Sequence, residues 1–314
     1  MSFFLATSRL LDIHFGLPKN FSAMTMPLAR FATGAVLTLL AHSNLQKKIT
    51  PIAHLDSKMI DEMSGIAKSR RYNDTYWVHN DSGDSARIFA IHKNGKLIQP
   101  HVPKYEGIKL EGSSNFDWED IAIEGDTIYV SDCGDNLNFR KDLCVYMFKE
   151  PNPETTTSVK DVKKIRVAYP DKTDTSDWHY DCESLGVYKG TLYFITKWRA
   201  GRSKFPALGA SIYCLKNPSF DKVNVLKKLD TLEDVGGWVT ACDISADGKQ
   251  IAMLTQFPNQ AILIYDMTKG NNIFHHPLKR IKFYGAKQCE ALCWDSPGSF
   301  VFGNEQSELF EIKR

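Results

Sequence analysis

Five phrases decide the reading of this chain: Met63-Ser64-Gly65-Ile66-Ala67, Trp118-Glu119-Asp120-Ile121-Ala122, Cys182-Glu183-Ser184-Leu185-Gly186, Ala241-Cys242-Asp243-Ile244-Ser245 and Cys289-Glu290-Ala291-Leu292-Cys293. In each, a polar or acidic residue precedes an aliphatic pair, and the phrases recur at roughly 50 to 65 residues, the spacing of a repeat fold. A polar turn follows, such as Glu124-Gly125-Asp126 or Asp247-Gly248-Lys249, whose glycine accepts the positive φ of a tight hairpin. Second strands follow at 76–79, 128–131, 192–196, 251–255 and 300–303, rich in β-branched and aromatic residues. Third strands are expected at 88–91, 144–148, 212–215, 262–265 and 309–312, and weaker fourth strands follow in four units, for example at 165–169 and 223–229.

The fifth unit stops at Arg314 after its third strand, and residues 49–55 are apolar enough to supply the missing outer strand. A ring closed in this way removes the exposed edge of an open sheet. The predicted fold is therefore all-β: a β-propeller of five four-stranded blades closed by an N-terminal strand. Six blades are the alternative, should the long connector over 151–181 hide further strands.

The chain has 314 residues, 43% hydrophobic and 24% charged, which is enough apolar material for a sizeable core. With 39 basic residues against 37 acidic ones the net charge is +2, so no field of one sign favours nucleic acid, and no nucleic-acid partner is expected. Residues 31–41 form an uncharged, mostly apolar run of about 11, too short to span a bilayer, with Ala41 and Ser43 as small residues for cleavage. This reads as a leader over 1–43, its start possible at Met24 or Met26, ahead of one propeller domain over 44–314. An exported protein, periplasmic or extracellular, with no transmembrane segment after leader removal, is the expectation. Seven cysteines stand at 133, 144, 182, 214, 242, 289 and 293, an odd number with no C-x-x-C. In an oxidising compartment Cys133 and Cys144 are spaced to close a short loop, while those inside strands suit small buried hydrophobes.

The chemistry-bearing residues converge on one end of the ring. Glu119, Glu183 and Glu290 hold the same place in the phrase, with Ser64 and Cys242 in the other two units, and are the candidate catalytic carboxylates. Asn80-Asp81-Ser82-Gly83-Asp84 and Asp132-Cys133-Gly134-Asp135-Asn136 share D-x-G-D, displaced by 51 positions. Asp81, Asp84, Asp132 and Asp135 are thus candidate ligands for calcium, which takes six to eight oxygen donors that an irregular loop can supply. Asn80, Asp120, His179, Asp181, Lys197 and Glu305 are expected to line the substrate space, with Asp117 and Asp177 beside them. So many carboxylates in a confined funnel need a raised pKa or a neutralising cation. Ordinary turn capping and inter-blade hydrogen bonding are the competing roles for these acids.

Trp118, Trp178, Trp198, Trp238 and Trp294 recur near the phrases and suit either blade packing or a pocket wall. Lys197, Arg199 and Arg202 form a basic patch, and His275-His276 reads as a solvated pair. No G-x-S-x-G, H-E-x-x-H, P-loop or G-x-G-x-x-G occurs.

The run from Trp77 through Asn80-Asp81-Ser82-Gly83-Asp84 to Phe89, then Asp117-Trp118-Glu119-Asp120 and Gly134-Asp135-Asn136, resembles a bacterial family of exported, propeller-like proteins. The likeness is strong over residues 60–150 and elsewhere rests on the repeat. It implies export and a propeller, not a reaction. Cys133 departs from the aliphatic residue expected before Gly134 and leaves the acidic positions intact. Two functions fit: a calcium-dependent hydrolase of the cell envelope or exterior, acting on a small molecule or an envelope component, or a non-catalytic binding or scaffold propeller.

Overall fold

The computed structural model describes residues 46–201 and 206–314. The leader reading and Arg202 therefore lie outside the described residues. Strands dominate, joined by turns, with two short 3-10 segments at Met267–Lys269 and Ile273–His275. Among the described residues no helix is long and apolar enough to cross a membrane.

The strands form five sheets whose innermost members are Met63–Lys68, Trp118–Glu124, Asp181–Tyr188, Val239–Ile244 and Cys289–Ser296. Each inner strand touches the next, and the last touches the first, so the sheets close into a five-bladed propeller. Blade numbers below follow this order. Five separate hydrophobic clusters fill the five seams. Trp77, Trp118 and Val130 sit between blades 1 and 2, for example, and Met63, Val78 and Val301 between blades 5 and 1. Alternation along each strand produces this pattern, since every blade is covered on both faces.

Closure follows the expected route. Ala53–His54 pairs antiparallel with Glu308–Lys313, as Ala53 with Leu309 and His54 with Glu308, and completes blade 5. An unforeseen second tie lies upstream, where Lys47–Lys48 runs parallel to Pro277–Tyr284 on blade 4. The connector at 151–181 hides no sixth blade. Its Ser158–Val159 adds to the outer edge of blade 1, and Lys163–Ala168 is the fourth strand of blade 2.

The expected fourth strand at 223–229 divides in two. Asn224–Val225 joins blade 2 in parallel with Lys163–Ala168, and the outer strand of blade 3 is Lys227–Leu232. The Asn224 side chain fixes the crossing: its amide donates to the Arg166 and Ser219 carbonyls, and its oxygen accepts from the Ser219 N–H. All seven cysteines are buried free thiols, and Cys133 and Cys144, spaced to close a short loop, are not bridged; Cys133 donates to the Cys144 carbonyl at 3.2 Å.

Candidate functional site: a carboxylate funnel at the channel mouth

Every inner strand carries a register shift near its start. It falls between Met63 and Gly65, Trp118 and Asp120, Cys182 and Ser184, Val239 and Ala241, and Cys289 and Ala291. The extra residue in each bulge is Ser64, Glu119, Glu183, Thr240 or Glu290. A bulge leaves one residue unpaired and re-aims its side chain, which is how the five blades present one ring of oxygen-bearing groups. The Ser64 hydroxyl donates to the carbonyl of Glu119, and the Thr240 hydroxyl to that of Cys289, so each ties its blade to the next. The sequence alignment of blade 4 is therefore corrected by two residues: Thr240, not Cys242, occupies the ring. A two-residue shift preserves the face of a strand and leaves the hydrophobic pattern unchanged, so the pattern gave no warning. The Val239-Thr240-Ala241 order of apolar, polar and small residues was the available signal.

The bulges also fix which loop residues reach the funnel. The pairing partners of Met63, Trp118, Cys182, Val239 and Cys289 are Asn80, Asp132, Thr196, Thr255 and Asn304. The residues one step further are Asp81, Cys133, Lys197, Gln256 and Glu305. Asp81 and Asp132, matched by D-x-G-D, are thus one residue out of register, and alternate residues of a strand face opposite sides. Asp81 enters the funnel, with oxygens of Asp81, Asp117 and Glu119 within 4.8 Å of one another. Asp132 turns away to Arg140 Nη2 at 2.9 Å and to the N–H of Asp117.

Three of the four expected calcium ligands instead meet partners of their own outside the acid groups at the mouth. Asp84 is held by Arg87 at 2.7 Å, by the Asn80 amide at 2.9 Å and by the Ser85 N–H. Asp135 caps the N–H groups of Phe139 and Arg140 and meets Lys172 at 2.5 Å. Carboxylates paired in this way, like Asp132 Oδ1 against Arg140, are turned toward partners of their own rather than toward the funnel. The Asn80 amide nitrogen donates to the Met59 carbonyl and to Asp84, which ties this buried side chain to its own blade.

Two groups of acids meet at the mouth: Asp81, Asp117 and Glu119, and Glu119, Asp181 and Glu183. The second is neutralised from within. Lys197, fully enclosed, contacts Glu183 and lies 3.7 Å from Asp181, while Arg199 Nε is 2.6 Å from Asp181. Burial opposes ionisation of Asp181, but these cations hold its carboxyl below the usual range. Lys197 and Arg199 both lie over the Trp238 ring, at 5.2 and 5.3 Å. Lys197 thus stands at the mouth where its place in the repeat put it, and with Arg199, grouped with it in sequence as a basic patch, it forms the internal counterions of the funnel.

The first group has no such partner at its centre. Glu119 is 3% exposed, and no described residue donates a hydrogen bond to its carboxylate. Burial, then the charges of Glu183, Asp81 and Asp117, push its pKa well above the ordinary value. Burial and the charges of Asp181 and Asp81 raise Asp117 to about 7. Glu183 is raised to about 8, mainly by burial and against the pull of Lys197. Across the mouth, Glu290 accepts from the Gln256 amide at 2.9 Å, and burial with the charges of Glu183 and Glu305 lifts its pKa well up. Burial, with Asp81 and Glu62 adding to it, raises Glu305 as well.

Gly134 packs against the first group. A Cβ there would collide with Glu119 Oε1 and come within 2.5 Å of Asp117 Oδ2, so any larger residue would have to displace these carboxylates.

Below the ring the acids behave differently. Asp120, expected to line the substrate space, is fully buried and accepts the N–H groups of Ile121, Leu185 and Cys242, joining the inner strands of blades 2, 3 and 4. Asp243 repeats the device toward blade 5, accepting from Ile244 and Trp294. His79 is fully buried with Nδ1 at 2.9 Å from its neighbour's carbonyl, and burial lowers its pKa to about 4. His179 stands outside both acid groups, stacked on Trp198 at 3.8 Å and paired with Asp177 at 2.8 Å. Trp118 and Trp294 pack in the seams, and Trp198 and Trp238 belong to the mouth.

The donor set of the first group fits a hard cation. It is all oxygen, its central carboxylate lacks a donor, and no cysteine or free imidazole joins it.

Fold and site define a five-bladed propeller with an acidic channel mouth. No family model and no curated protein matches the chain. Among solved structures it is similar to hydrazine synthase from Kuenenia stuttgartiensis, at 11% identity and TM-score 0.40, covering 80% of this chain and 58% of that one. It thus spans little more than half the length of that chain. It is also similar to a gluconolactonase from Xanthomonas campestris (10% identity, TM-score 0.43, 86% of this chain and 96% of that one). A luciferin-regenerating enzyme gives 9% identity, TM-score 0.43 and coverage of 84% and 96%. Likeness at this level carries neither substrate nor metal across.

Proposed function

We propose that the chain is an exported hydrolase of the cell envelope or exterior whose channel mouth binds a divalent cation, calcium by the nature of its donors, at Asp81, Asp117 and Glu119. The observation that carries this reading is Glu119: a carboxylate 3% exposed, without a hydrogen-bond donor among the described residues, and surrounded by three other acids. Such a group is either protonated or neutralised by a cation. An all-oxygen site of this kind suits calcium, whose ligands sit at about 2.3–2.6 Å in flexible geometry. When bound, the cation supplies charge neutralisation and polarises a substrate oxygen.

The acid–base work falls to Glu183. With a pKa near 8 it carries a proton at neutral pH, positioned by Lys197 to deliver it to a leaving group and recover it from water. Glu290 and Glu305 stand on the far wall, where burial and neighbouring acids raise both and disfavour their charged forms. Trp238, holding Lys197 and Arg199 over its ring, orients the cationic side. Export rests on the apolar run at 31–41.

A non-catalytic binding or scaffold propeller is the second reading, favoured by the internal neutralisation of Asp181 by Lys197 and Arg199, with Lys197 also held against Glu183. Calorimetric titration of the full chain with calcium near pH 8 separates these cases. The hydrolase reading expects saturable binding that Glu119→Gln and Asp81→Asn each weaken at least about tenfold, and cation-dependent turnover in an ester, lactone and phosphodiester panel. Binding without turnover supports the scaffold; absence of binding by a folded chain removes the cation altogether.

A further inference from the structure

At the seam between blades 2 and 3 lies a groove of about 340 Å³ that the proposed hydrolysis does not use. Its floor is Leu143, Val167 and Tyr169, all buried, and Phe139 forms one wall. Lys141 and Lys172 stand on its rim. A volume of this size reaches the lower range of small-ligand sites, which are concave and mainly apolar with a few placed polar groups.

The loop that builds the wall is pinned in an unfavourable arrangement. Leu137 is 62% and Phe139 60% exposed, with Phe116 of the same blade also 60% exposed under Arg140. A free loop would turn such side chains inward. This one is fixed by Asp135, which caps Phe139 and Arg140, and by Lys172, which meets the other oxygen of Asp135. Asn138, at φ 55°, sends its amide to the carbonyls of Thr175 and Asp177 at 2.9 and 2.6 Å. Arg140 donates back to the Gly134 carbonyl. Apolar side chains held in water by a rigid frame form a prepared binding surface, since the ordering cost is met before a ligand arrives.

Charge selects the head group. Lys172 is spent on Asp135 and Arg140 on Asp132, whereas exposed Lys141 has no ion pair among the described residues. Asp174, the acid in the lining, accepts both the N–H and the hydroxyl of Ser176. We infer that this groove binds a single-chain anionic amphiphile, its apolar chain along Phe139, Leu143 and Tyr169 and its anionic head at Lys141. A medium-chain carboxylate is the simplest member of that class.

The test is calorimetry on the full chain with dodecanoate, dodecylamine and dodecanol, below their aggregation concentrations and without divalent cation, so the outcome is independent of the metal reading. Dodecanoate is expected to bind at one site. Lys141→Glu and Phe139→Ser, both at exposed positions, should each weaken it by about tenfold, with circular dichroism and melting unchanged. Phe139→Ala serves as a milder wall variant should Phe139→Ser fold poorly. Equal binding of the three head groups, or no binding, overturns the inference. So does an effect of Phe139→Ser confined to anionic phosphatidylglycerol vesicles or to self-association in sedimentation, which would make the patch a membrane or homodimer contact.

Discussion

The channel holds two sets of buried carboxylates a single residue apart, and they do opposite things. Glu119 and Asp120 are neighbours in the same strand, both almost wholly removed from water. Asp120 receives three backbone N–H groups from three blades and is a clamp. Glu119, lifted out of the ladder by the bulge, receives none and faces other acids. Burial alone therefore does not mark a functional acid; the supply of donors does. Where the fold provides N–H groups the carboxylate stabilises the ring, and where it withholds them the fold stores electrostatic repulsion that a cation or a proton must relieve.

The sharpest test of this contrast is Asp120→Ala. Three buried N–H groups lose their acceptor, and the expected loss is about 3–5 kcal/mol in denaturant unfolding. A loss under about 1 kcal/mol would mean that the clamp is incidental. Lys197→Met comes next: Glu183 and Asp181 lose their ammonium partner, and about 3 kcal/mol should be lost near pH 8, less near pH 5, where Glu183 is protonated. A loss that does not vary with pH would show that Lys197 acts through packing instead.

Titration tests the whole mouth. Asp117 and Glu183 are raised in the folded chain, to about 7 and about 8, and are near 4 when unfolded. The folded state binds protons more tightly over that window, so the stability they contribute is full below about pH 4 and is lost as pH rises through 7 and 8. With both shifts fully expressed, the cation-free chain should be about 6 kcal/mol less stable at pH 8 than at pH 5, and calcium should narrow the gap; a melting temperature flat across this range would sink the repulsion argument. The smallest effect expected has the opposite sign to the first. Glu119→Gln should stabilise the cation-free chain by about 1 kcal/mol at pH 8 while removing the stabilisation added by calcium. Destabilisation by Glu119→Gln would place Glu119 among the clamps.

Much of this was legible in the sequence because it is written locally. Alternating apolar strands and glycine turns spaced along the chain mark five repeats, and the missing outer strand of the last repeat called for residues 49–55. Glu119, Glu183, Glu290, Asp181 and Glu305 could be brought to one mouth from their place in the repeat. Asp84, Asp132 and Asp135 were misread because D-x-G-D is a turn motif as well as a ligand motif, and only the positions of Arg87, Arg140 and Lys172 distinguish the two uses. Thr240 was overlooked because a two-residue slip keeps every side chain on its face.

The sequence alone determined the class of fold, its repeat and the acidic character of one end, since strand period, turn chemistry and charge are properties of short stretches; the choice of five blades over six waited for the pairing of the 151–181 connector. Tertiary structure decided which acids are clamps and which are unsatisfied. That choice depends on the bulge in each inner strand and on which N–H or cation arrives from another blade, and such pairings join residues as distant as Asp120 and Cys242. A carboxylate's role is set by the donors around it, and in a ring of blades those donors come from elsewhere in the chain.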